Sequence, residues 1–290
     1  MDEVTVIVPT RHEAGNVQIL AEAIGSFLDP TGMAWQVMFV DDSDDDTVDV
    51  LTRLAAANPR VRFIHRAPDD RDGGLAGAVL RGMASTAGRY VAVMDGDLQH
   101  PPAVLVELLA PLRERGADIV VATRYREGGS PGGLAGPTRR AVSSGARTLV
   151  HTLFPALRPV SDPLGGFFAF NRSVTEGIDL RPEGFKILLE VLARGQWASV
   201  AEVPYEFAPR HEGLSKAGVR EGLRFLRHVG RLWVEAPSSA LSGAPAGPPA
   251  ASTRASTRAS TRASTRASTR ASTRASTASP PSASPLRSVM

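Results

Sequence analysis

The sequence contains no cysteine among its 290 residues, which excludes a disulfide framework, a thiolate metal site and a cysteine nucleophile. Long hydrophobic runs are also missing, since no stretch approaches the roughly 18 apolar residues that a membrane-spanning helix needs. The N-terminal residues show neither a basic segment nor a cleavage motif, so no secretory signal is expected. These absences predict a cytoplasmic protein that is soluble or peripheral.

Acidic residues are absent after Glu235, although the chain holds 30 of them. The segment that follows contains seven of the 33 basic residues, so residues 1–235 carry 26 basic against 30 acidic side chains. The formal net charge of +3 for the whole chain therefore comes from its C-terminal part. Because residues 1–235 have no basic excess, we expect no nucleic-acid partner.

Large apolar side chains are scarce in residues 236–290, where six ASTR tetrapeptides fill positions 251–274. Such a segment cannot bury enough apolar surface to fold, and its composition predicts disorder. The period of four nearly matches a helical turn, but no apolar stripe would stabilise that helix. We therefore predict two parts, a folded domain at 1–235 and a disordered tail at 236–290.

Short apolar runs rich in β-branched residues alternate with helical patterns in the first 122 residues. The predicted strands are 4–8, 37–40, 61–64, 90–94 and 118–122, and the predicted helices are about 16–28, 46–57, 75–87 and 102–115. Pro9 is expected to end the first strand, and Asp46 or Thr47 to cap the second helix. The alternation predicts an α/β fold with a mostly parallel sheet between helices. In such sheets ligands gather at the carboxyl ends of the strands.

The pattern changes after residue 122, where a Gly/Pro-rich loop at 127–137 leads into a less regular half. Helices are predicted at about 138–153, 184–194 and 217–234, and strands at 167–171 and 198–203. We therefore divide the predicted domain into a first half at about 1–123 and a second half at about 124–235.

Acidic side chains follow three of the predicted strands, and they should meet at one edge of the sheet. Asp95 and Asp97 follow the fourth strand with a one-residue spacing, and Gln99 can add a neutral oxygen. Clustered carboxylates usually need a cation, and hard oxygen ligands favour Mg²⁺ or Mn²⁺. A lone DxD is more often a solvated turn, so the prediction depends on the combination. The neighbouring residues His12 and His100 are interpreted as ordinary loop histidines.

The combination of motifs resembles the family 2 glycosyltransferases, which have a GT-A fold, and within them the dolichol-phosphate (polyprenol-phosphate) mannose synthase group. The resemblance covers about residues 3–230, and no single motif decides it. The motifs that match in order are the strand-end acids, Arg124-Tyr125, Arg139 with Ser143, Ser161-Asp162-Pro163, Gly166-Phe167-Phe168, Gly184-Phe185-Lys186-Ile187-Leu188-Leu189-Glu190, Glu202-Val203-Pro204, Arg210 and Ser215-Lys216. The GxGxxG of a Rossmann dehydrogenase is absent after the first strand.

The resemblance makes about 1–123 the nucleotide-binding half and about 124–235 the acceptor half, and it implies a role for each matching position. Metal and diphosphate contacts are implied at Asp95, Asp97 and Gln99, and acceptor-phosphate contacts at Arg124, Arg139 and Ser143. The implied nucleotide-sugar contacts are Pro9, Arg11, Glu13, Val40, Asp42, Met94, Asp95, Gly96, Asp97, Gln99, Arg124, Arg210 and Lys216. The implied catalytic residues are Asp97, Arg124, Arg139 and Arg210. Arg11 replaces the aromatic residue that the family usually has there, which bears on how the base is held.

The function that the resemblance implies is inverting transfer of a hexose, mannose from GDP-mannose, to a polyprenyl or dolichyl phosphate, with Mg²⁺ or Mn²⁺ as cofactor. The alternatives are a UDP-hexose transferase with the same acceptor, a nucleotidyltransferase or nucleotide-binding module, and a non-catalytic protein that binds acidic partners through its tail. An acceptor phosphate is already ionised near pH 7, so it needs cations more than a general base.

A lipid acceptor requires contact with the cytoplasmic face of a membrane or with a membrane-anchoring partner. The predicted last helix offers one such contact, because Arg220, Arg224, Arg227 and Arg231 fall within one stripe. Apolar residues occupy the neighbouring face, where packing on the domain would explain them equally well. A loop carrying Arg210 and Lys216 is predicted to close over the donor diphosphate.

Overall fold

The computed structural model describes residues 3–130, 132, 137–182, 184–208 and 219–235, with the backbone alone at 137–140 and 219–221. Seven strands form one sheet in the order β3-β2-β1-β4-β6-β5-β7, in which only β6 runs antiparallel to its neighbours. The strands are β1 (Val4–Thr10), β2 (Trp35–Asp41), β3 (Val61–His65), β4 (Tyr90–Val93), β5 (Ile119–Thr123), β6 (Phe168–Asn171) and β7 (Val200–Pro204). The predicted α/β class with a mostly parallel sheet is confirmed.

Helices cover both faces of this sheet, and each predicted helix is present in the described residues. They are α1 (Val17–Leu28), α2 (Thr47–Ala57), α3 (Gly74–Ala84), α4 (Val104–Glu114), α5 (Pro137–Leu153), α6 (Ile187–Arg194) and α7 (Val219–Glu235). One core packs α1, α2 and α4 against one face, and a second packs α3, α5, α6 and α7 against the other. Strands buried on both faces explain the continuous apolar runs of the sequence.

The prediction that Pro9 ends the first strand is wrong, because β1 continues to Thr10. Ile7 pairs with Val93, the last residue of β4, and its carbonyl accepts from Met94. Residues two apart in a strand point their backbone groups to the same neighbouring strand, so the nitrogen of Pro9 faces the same side as that of Ile7. On that side β4 has already ended opposite Pro9. The missing N–H of proline therefore costs no ladder hydrogen bond there.

Two helix starts also differ from the sequence prediction. Asp46 occupies the N-cap position of α2 without a capping bond, and the preceding Asp45 instead accepts from the Thr47 amide at 3.1 Å. Helix α6 begins at Ile187 rather than near 184, because Gly184 has a left-handed backbone conformation with φ +81°. This conformation leaves Lys186 outside the helix.

The strand order brings the carboxyl ends of β1, β2 and β4 together, as the sequence predicted. β1 lies between β2 and β4 in parallel register, so the segments 10–13, 41–47 and 95–99 share one edge of the sheet. We call this edge the donor edge. The predicted domain boundary at 235 stays a prediction, since residues 236–290 lie outside the described ones.

Candidate active site

Asp95 is the first polar side chain after β4, and its surroundings fix its position. Its amide donates to Nδ1 of His100 at 3.0 Å, and its carboxylate lies against Gly166, where an added Cβ would be 3.2 Å from both oxygens. The His100 ring stacks on Phe167 with 4.9 Å between the ring centroids. The segment that leads into β6 thus touches the candidate metal ligand.

His100 was interpreted as an ordinary loop histidine, but the structure buries it, with 2% of the residue exposed. Burial lowers the pKa of His100 to about 4. Its Nδ1 accepts a hydrogen bond, which assigns the proton of the neutral ring to Nε2. His100 therefore acts as a neutral support for Asp95, and a proton-transfer role is not suggested by its environment.

Asp97 and Gln99 complete the DxD segment, with one local bond between them and one bond to a distant part of the chain. One oxygen of Asp97 accepts from the Gln99 amide at 3.1 Å, and the Gln99 side-chain nitrogen donates to the Ala208 carbonyl at 3.0 Å. Leu98 between them has φ +61°, a conformation that a leucine rarely adopts. Strained backbone of this kind clusters at functional sites.

The donor set at this segment fits a divalent cation with hard ligands. Two carboxylates, of Asp95 and Asp97, and the side-chain oxygen of Gln99 would fill part of an octahedral shell, which a diphosphate and water can complete. Among the described residues no group of three or more His, Asp or Glu side chains is arranged to hold a metal ion by itself. A site of this composition would thus depend on the substrate for its remaining ligands.

The acids after β2 are held by neighbours in the fold. Asp41 is fully buried and accepts from Thr10, Ser43 and His65 at 2.5–2.9 Å. Asp42 accepts two bonds from the buried Arg66, at 2.7 and 2.6 Å.

Arg66 also reaches the start of α3, where it donates to the carbonyls of Asp72 and Gly74. One arginine thus ties the donor edge to the glycine-rich segment that opens α3. A fork of five N–H donors makes several simultaneous bonds possible.

Arg124 follows β5 and is held by Asp162 through two bonds of 2.8 and 3.1 Å. Its side chain is 10% exposed and lies over the ring of Phe207, with 5.2 Å between Cζ and the centroid. Burial alone would lower the pKa of Arg124, but the Asp162 carboxylate outweighs it and raises that pKa. Arg124 is therefore a fixed cation with N–H groups beyond the two that Asp162 receives.

The segment Ser161–Gly166, which we call the 161–166 loop, connects these groups. Glu202 accepts from the Ser161 amide at 2.6 Å, and Lys186 Nζ donates to the Leu164 carbonyl at 2.7 Å. The same loop provides Asp162 for Arg124, and Gly166 for the contact with Asp95. It therefore joins the candidate metal ligand to the candidate phosphate-binding arginine.

Burial, and secondly Arg124, lowers the pKa of Lys186 to about 8. Lys186 belongs to one of the matching motifs, but the sequence analysis assigned it no role. A sequence pattern does not reveal which carbonyl a lysine contacts. Sequence reasoning also missed Arg66, which no motif marks, and it left Asp162 without a role. The one available signal was the occurrence of Asp162 and Lys186 within ordered motifs.

The structure brings most of the predicted site residues to one edge but does not bring all of them into contact. The side chains of Val40 and Met94 are fully buried, so a nucleotide contact there would come from backbone atoms. Ser143 bonds to the Tyr125 hydroxyl at 3.0 Å. Arg139 lies in the first turn of α5 with its side chain outside the described part.

Of the other predicted site residues, some lie outside the described residues and the rest have a position in the structure. Arg210 and Lys216, with the loop predicted to close, lie outside the described residues. Pro9 lies within β1, Gly96 packs its backbone against Thr10, and Glu13 accepts from Asn16 at 2.6 Å.

Comparison with known proteins shows which family this chain resembles. The model of glycosyl transferase family 2 matches residues 5–178. A dolichol-phosphate mannosyltransferase of Pyrococcus furiosus is 37% identical over 231 residues, covering 79% of this chain and 63% of that protein. The enzyme of the same name from Saccharomyces cerevisiae is 34% identical, covering 80% of this chain and 87% of that protein. The chain thus spans less than two thirds of the Pyrococcus relative.

Solved structures show the same fold at lower identity. Mannosyl-3-phosphoglycerate synthase from Rubrobacter xylanophilus superposes with a TM-score of 0.61 at 21% identity, covering 79% of this chain and 73% of its own. Glucosyl-3-phosphoglycerate synthase from Mycobacterium tuberculosis superposes with a TM-score of 0.58 at 22% identity, covering 84% of this chain and 82% of its own. The match of the family model and of relatives along most of the described domain means that the chain belongs to glycosyl transferase family 2.

Proposed function

We propose that this chain transfers a hexose, mannose, from a nucleoside diphosphate donor to a polyprenyl or dolichyl phosphate with inversion at the anomeric carbon. The observation that carries the proposal is the 161–166 loop, which binds Arg124 through Asp162 and contacts the DxD residue Asp95 through Gly166. Relatives named dolichol-phosphate mannosyltransferase support the choice of sugar and acceptor.

The chemistry needs charge stabilisation at both ends of the transferred sugar. A phosphate oxygen of the acceptor attacks the anomeric carbon, and the bond to the donor diphosphate breaks, so negative charge develops on the diphosphate. Arg124 offers fixed N–H donors to a phosphate, and Lys186 adds a second cation near it. Neither step requires a general base, because the attacking phosphate oxygen is already ionised.

We propose Mg²⁺ or Mn²⁺ as the cofactor, held by Asp95, Asp97 and Gln99. When bound, it would supply charge stabilisation for the leaving diphosphate. A crystal structure of the Mycobacterium tuberculosis glucosyl-3-phosphoglycerate synthase in complex with Mn²⁺ and uridine diphosphate shares the fold. In this chain the support is the pair of carboxylates on a strained turn at a strand end.

We also propose that α7 contacts the membrane that holds the acceptor. Among the described residues no helix is long and apolar enough to cross a bilayer. Val229 and Leu232 pack α7 into the core, whereas Leu223, Leu226 and Trp233 are 62%, 54% and 50% exposed. Exposed apolar residues beside arginines are typical of a helix lying in a membrane interface. The membrane surface that we propose for this contact is the cytoplasmic face.

The membrane proposal is tested by sedimentation of the full chain with anionic vesicles. Leu223→Gln with Leu226→Gln should weaken binding, while Ile19→Gln, an equally apolar exposed change on α1, should not. If both variants bind as the wild type does, α7 is not the contact.

The enzymatic proposal is tested by a donor screen with polyprenyl phosphate and Mn²⁺ or Mg²⁺. We expect transfer of labelled mannose from GDP-mannose to a lipid product that carries a β-linkage. Transfer from UDP-glucose instead would favour the alternative donor class, and no transfer from any nucleotide sugar to a lipid phosphate would refute the proposal.

A further inference from the structure

A cleft of about 500 Å³ lies beside the donor edge, on the β2 side of β1. Three parts of the chain line it: the donor edge with Arg11 and Asp42, the segment around the start of α3 with Gly184, and helix α7. The lining residues are Arg11, Asp42, Arg71, Asp72, Gly73, Gly74, Gly184, Arg224 and Arg227. Helix α7 lies beyond residue 178, where the family model match ends.

The cleft has an excess of positive charge. Four arginines and two aspartates line it, and Asp42 is already bound by the buried Arg66 behind it. Arg71 is held in place by Asp44 and by the Ser43 carbonyl. Such a lining favours a ligand that presents hydrogen-bond acceptors to the arginines.

Glycines make one wall of the cleft flat. Gly73, Gly74 and Gly184 have φ values of +74°, +59° and +81°, so side chains are disfavoured at all three positions. The Gly184 carbonyl accepts from the Ala76 amide at 2.9 Å, which fixes two of these segments together. A wall of bare backbone can accept a planar ring lying against it.

Two arginines of α7 form the opposite side. Arg224 and Arg227 are about 60° apart around the helix axis, so both reach the same side of α7. The core-packing residues Val229 and Leu232 fix the rotation of the helix. Guanidinium groups stack on planar rings and also donate two parallel hydrogen bonds.

The distance to the candidate metal ligands fits a nucleotide. Asp42 follows β2 and Asp95 follows β4, and β1 separates these strands. Two strand spacings correspond to about 10 Å. A nucleoside diphosphate can span this interval with its ring in the cleft and its diphosphate at the DxD segment.

We propose that Arg224 and Arg227 bind the base of the donor nucleotide and select guanine. The inference rests on the proposed function for the presence of a nucleotide sugar. The N7 and O6 atoms of guanine accept two hydrogen bonds from one arginine, and its N1–H and N2–H₂ groups can donate to Asp42 or Asp72. Uracil lacks an equivalent pair of adjacent acceptors, so the arginines would favour GDP over UDP.

Binding of free nucleotides to the full chain with Mn²⁺ tests this assignment by calorimetry. Arg224→Gln and Arg227→Gln should each raise the Kd for GDP by about tenfold, because one variant loses the bidentate pair to N7 and O6 and the other loses the guanidinium stacked on the ring. The Kd values for UDP and for pyrophosphate should change much less. Arg227→Lys keeps the charge but loses the fork, and it should lose most of the preference for GDP.

Arg53→Gln is the matched control, because it removes one positive charge from the exposed surface of α2. Thermal unfolding of each variant checks that the fold is intact. Equal weakening of GDP, UDP and pyrophosphate would show that the arginines act on phosphate and would overturn the proposal. Unchanged GDP binding in Arg224→Gln, Arg227→Gln and the double variant would overturn it as well.

Different experimental results would contradict the proposed function and the assignment of the base to Arg224 and Arg227. A wild type that binds GDP through these arginines but transfers no sugar to lipid phosphate contradicts the proposed function alone. A wild type that transfers mannose from GDP-mannose to lipid phosphate, while Arg224→Gln and Arg227→Gln keep its GDP affinity, contradicts the base assignment alone.

Discussion

The donor edge and the 161–166 loop both present polar groups to the candidate active site, but they are built differently. The donor edge follows from three adjacent parallel strands, whose carboxyl ends coincide because the strands share a register. The 161–166 loop has no such frame, and it is held by Glu202, Lys186 and the Arg124–Asp162 pair.

This difference predicts whether a substitution in each region lowers mainly activity or also stability. A strand end keeps its place through the sheet, so a substitution at the donor edge should change chemistry more than structure. A loop fixed by a buried ion pair and a lysine bond should respond to a lost partner with a loss of both geometry and stability. Substitutions in the two regions should therefore separate activity from stability.

The largest effect is expected at the donor edge. Asp97→Ala removes a carboxylate from the DxD segment, and turnover should fall at least a hundredfold. The midpoint of thermal unfolding should move little, because Asp97 follows β4, whose pairing with β1 in the sheet holds this strand end in place. Steady-state turnover with Mn²⁺ and thermal unfolding give the two numbers.

Asp49→Asn, an exposed acid on α2, is the control for this change. Near-normal turnover of Asp97→Ala in buffer freed of divalent ions would show that the metal interpretation is wrong.

A smaller loss of activity together with a loss of stability is expected in the 161–166 loop. Asp162→Asn leaves Arg124 buried without its charge partner, and we expect about 3 kcal/mol lower stability. The KM for the lipid phosphate should rise about tenfold, while the KM for the donor changes less. Chemical denaturation and separate titration of the two substrates measure both effects.

Unchanged stability of Asp162→Asn would remove the basis of the comparison between the two regions. Equal increases of the two KM values would place Arg124 between donor and acceptor.

The contact between the two regions can be tested at Gly166. An alanine Cβ there would be 3.2 Å from both Asp95 oxygens and 3.3 Å from the His100 ring, so the carboxylate must shift. We expect the Mn²⁺ concentration for half-maximal activity to rise about tenfold, as for other groups that orient a metal ligand. Gly145→Ala is the matched control, because nothing lies within 4 Å of its added Cβ. An unchanged metal requirement would mean that the loop does not position Asp95.

The smallest effect is expected in the pH dependence that Lys186 produces. Its pKa is lowered to about 8, so the ammonium loses its proton as pH rises through about 8, and a cation near the substrate phosphates is lost. Activity should then fall a few-fold toward alkaline pH, because anion binding weakens. A metal ion near Asp95 would move this loss to lower pH and not to higher pH.

Lys186→Arg keeps its charge across this range and should flatten the alkaline decline. Identical pH profiles of the wild type and Lys186→Arg would exclude Lys186 as the titrating group.

Sequence reasoning placed the strands and helices mostly within a few residues, and the errors have physical causes. Pro9 was assigned to a strand end because proline lacks a donor, but the neighbouring strand stops before that donor would be needed. The side chain of Asp45, and not that of Asp46, bonds to the start of α2. Both errors depend on neighbours that are distant in sequence or on the path of one turn.

The sequence by itself determined the alternation of strands and helices, the acids at three strand ends and the order of the family motifs. Periodicity and local composition are enough for these features, since a parallel sheet aligns its strand ends whatever the loops do. Only the tertiary structure decided that Arg66 holds Asp42, that Gly166 contacts Asp95, and that α7 lines the cleft beside the donor edge. These contacts join residues from 24 to more than 180 positions apart, and the packing of side chains in three dimensions sets them rather than any local pattern.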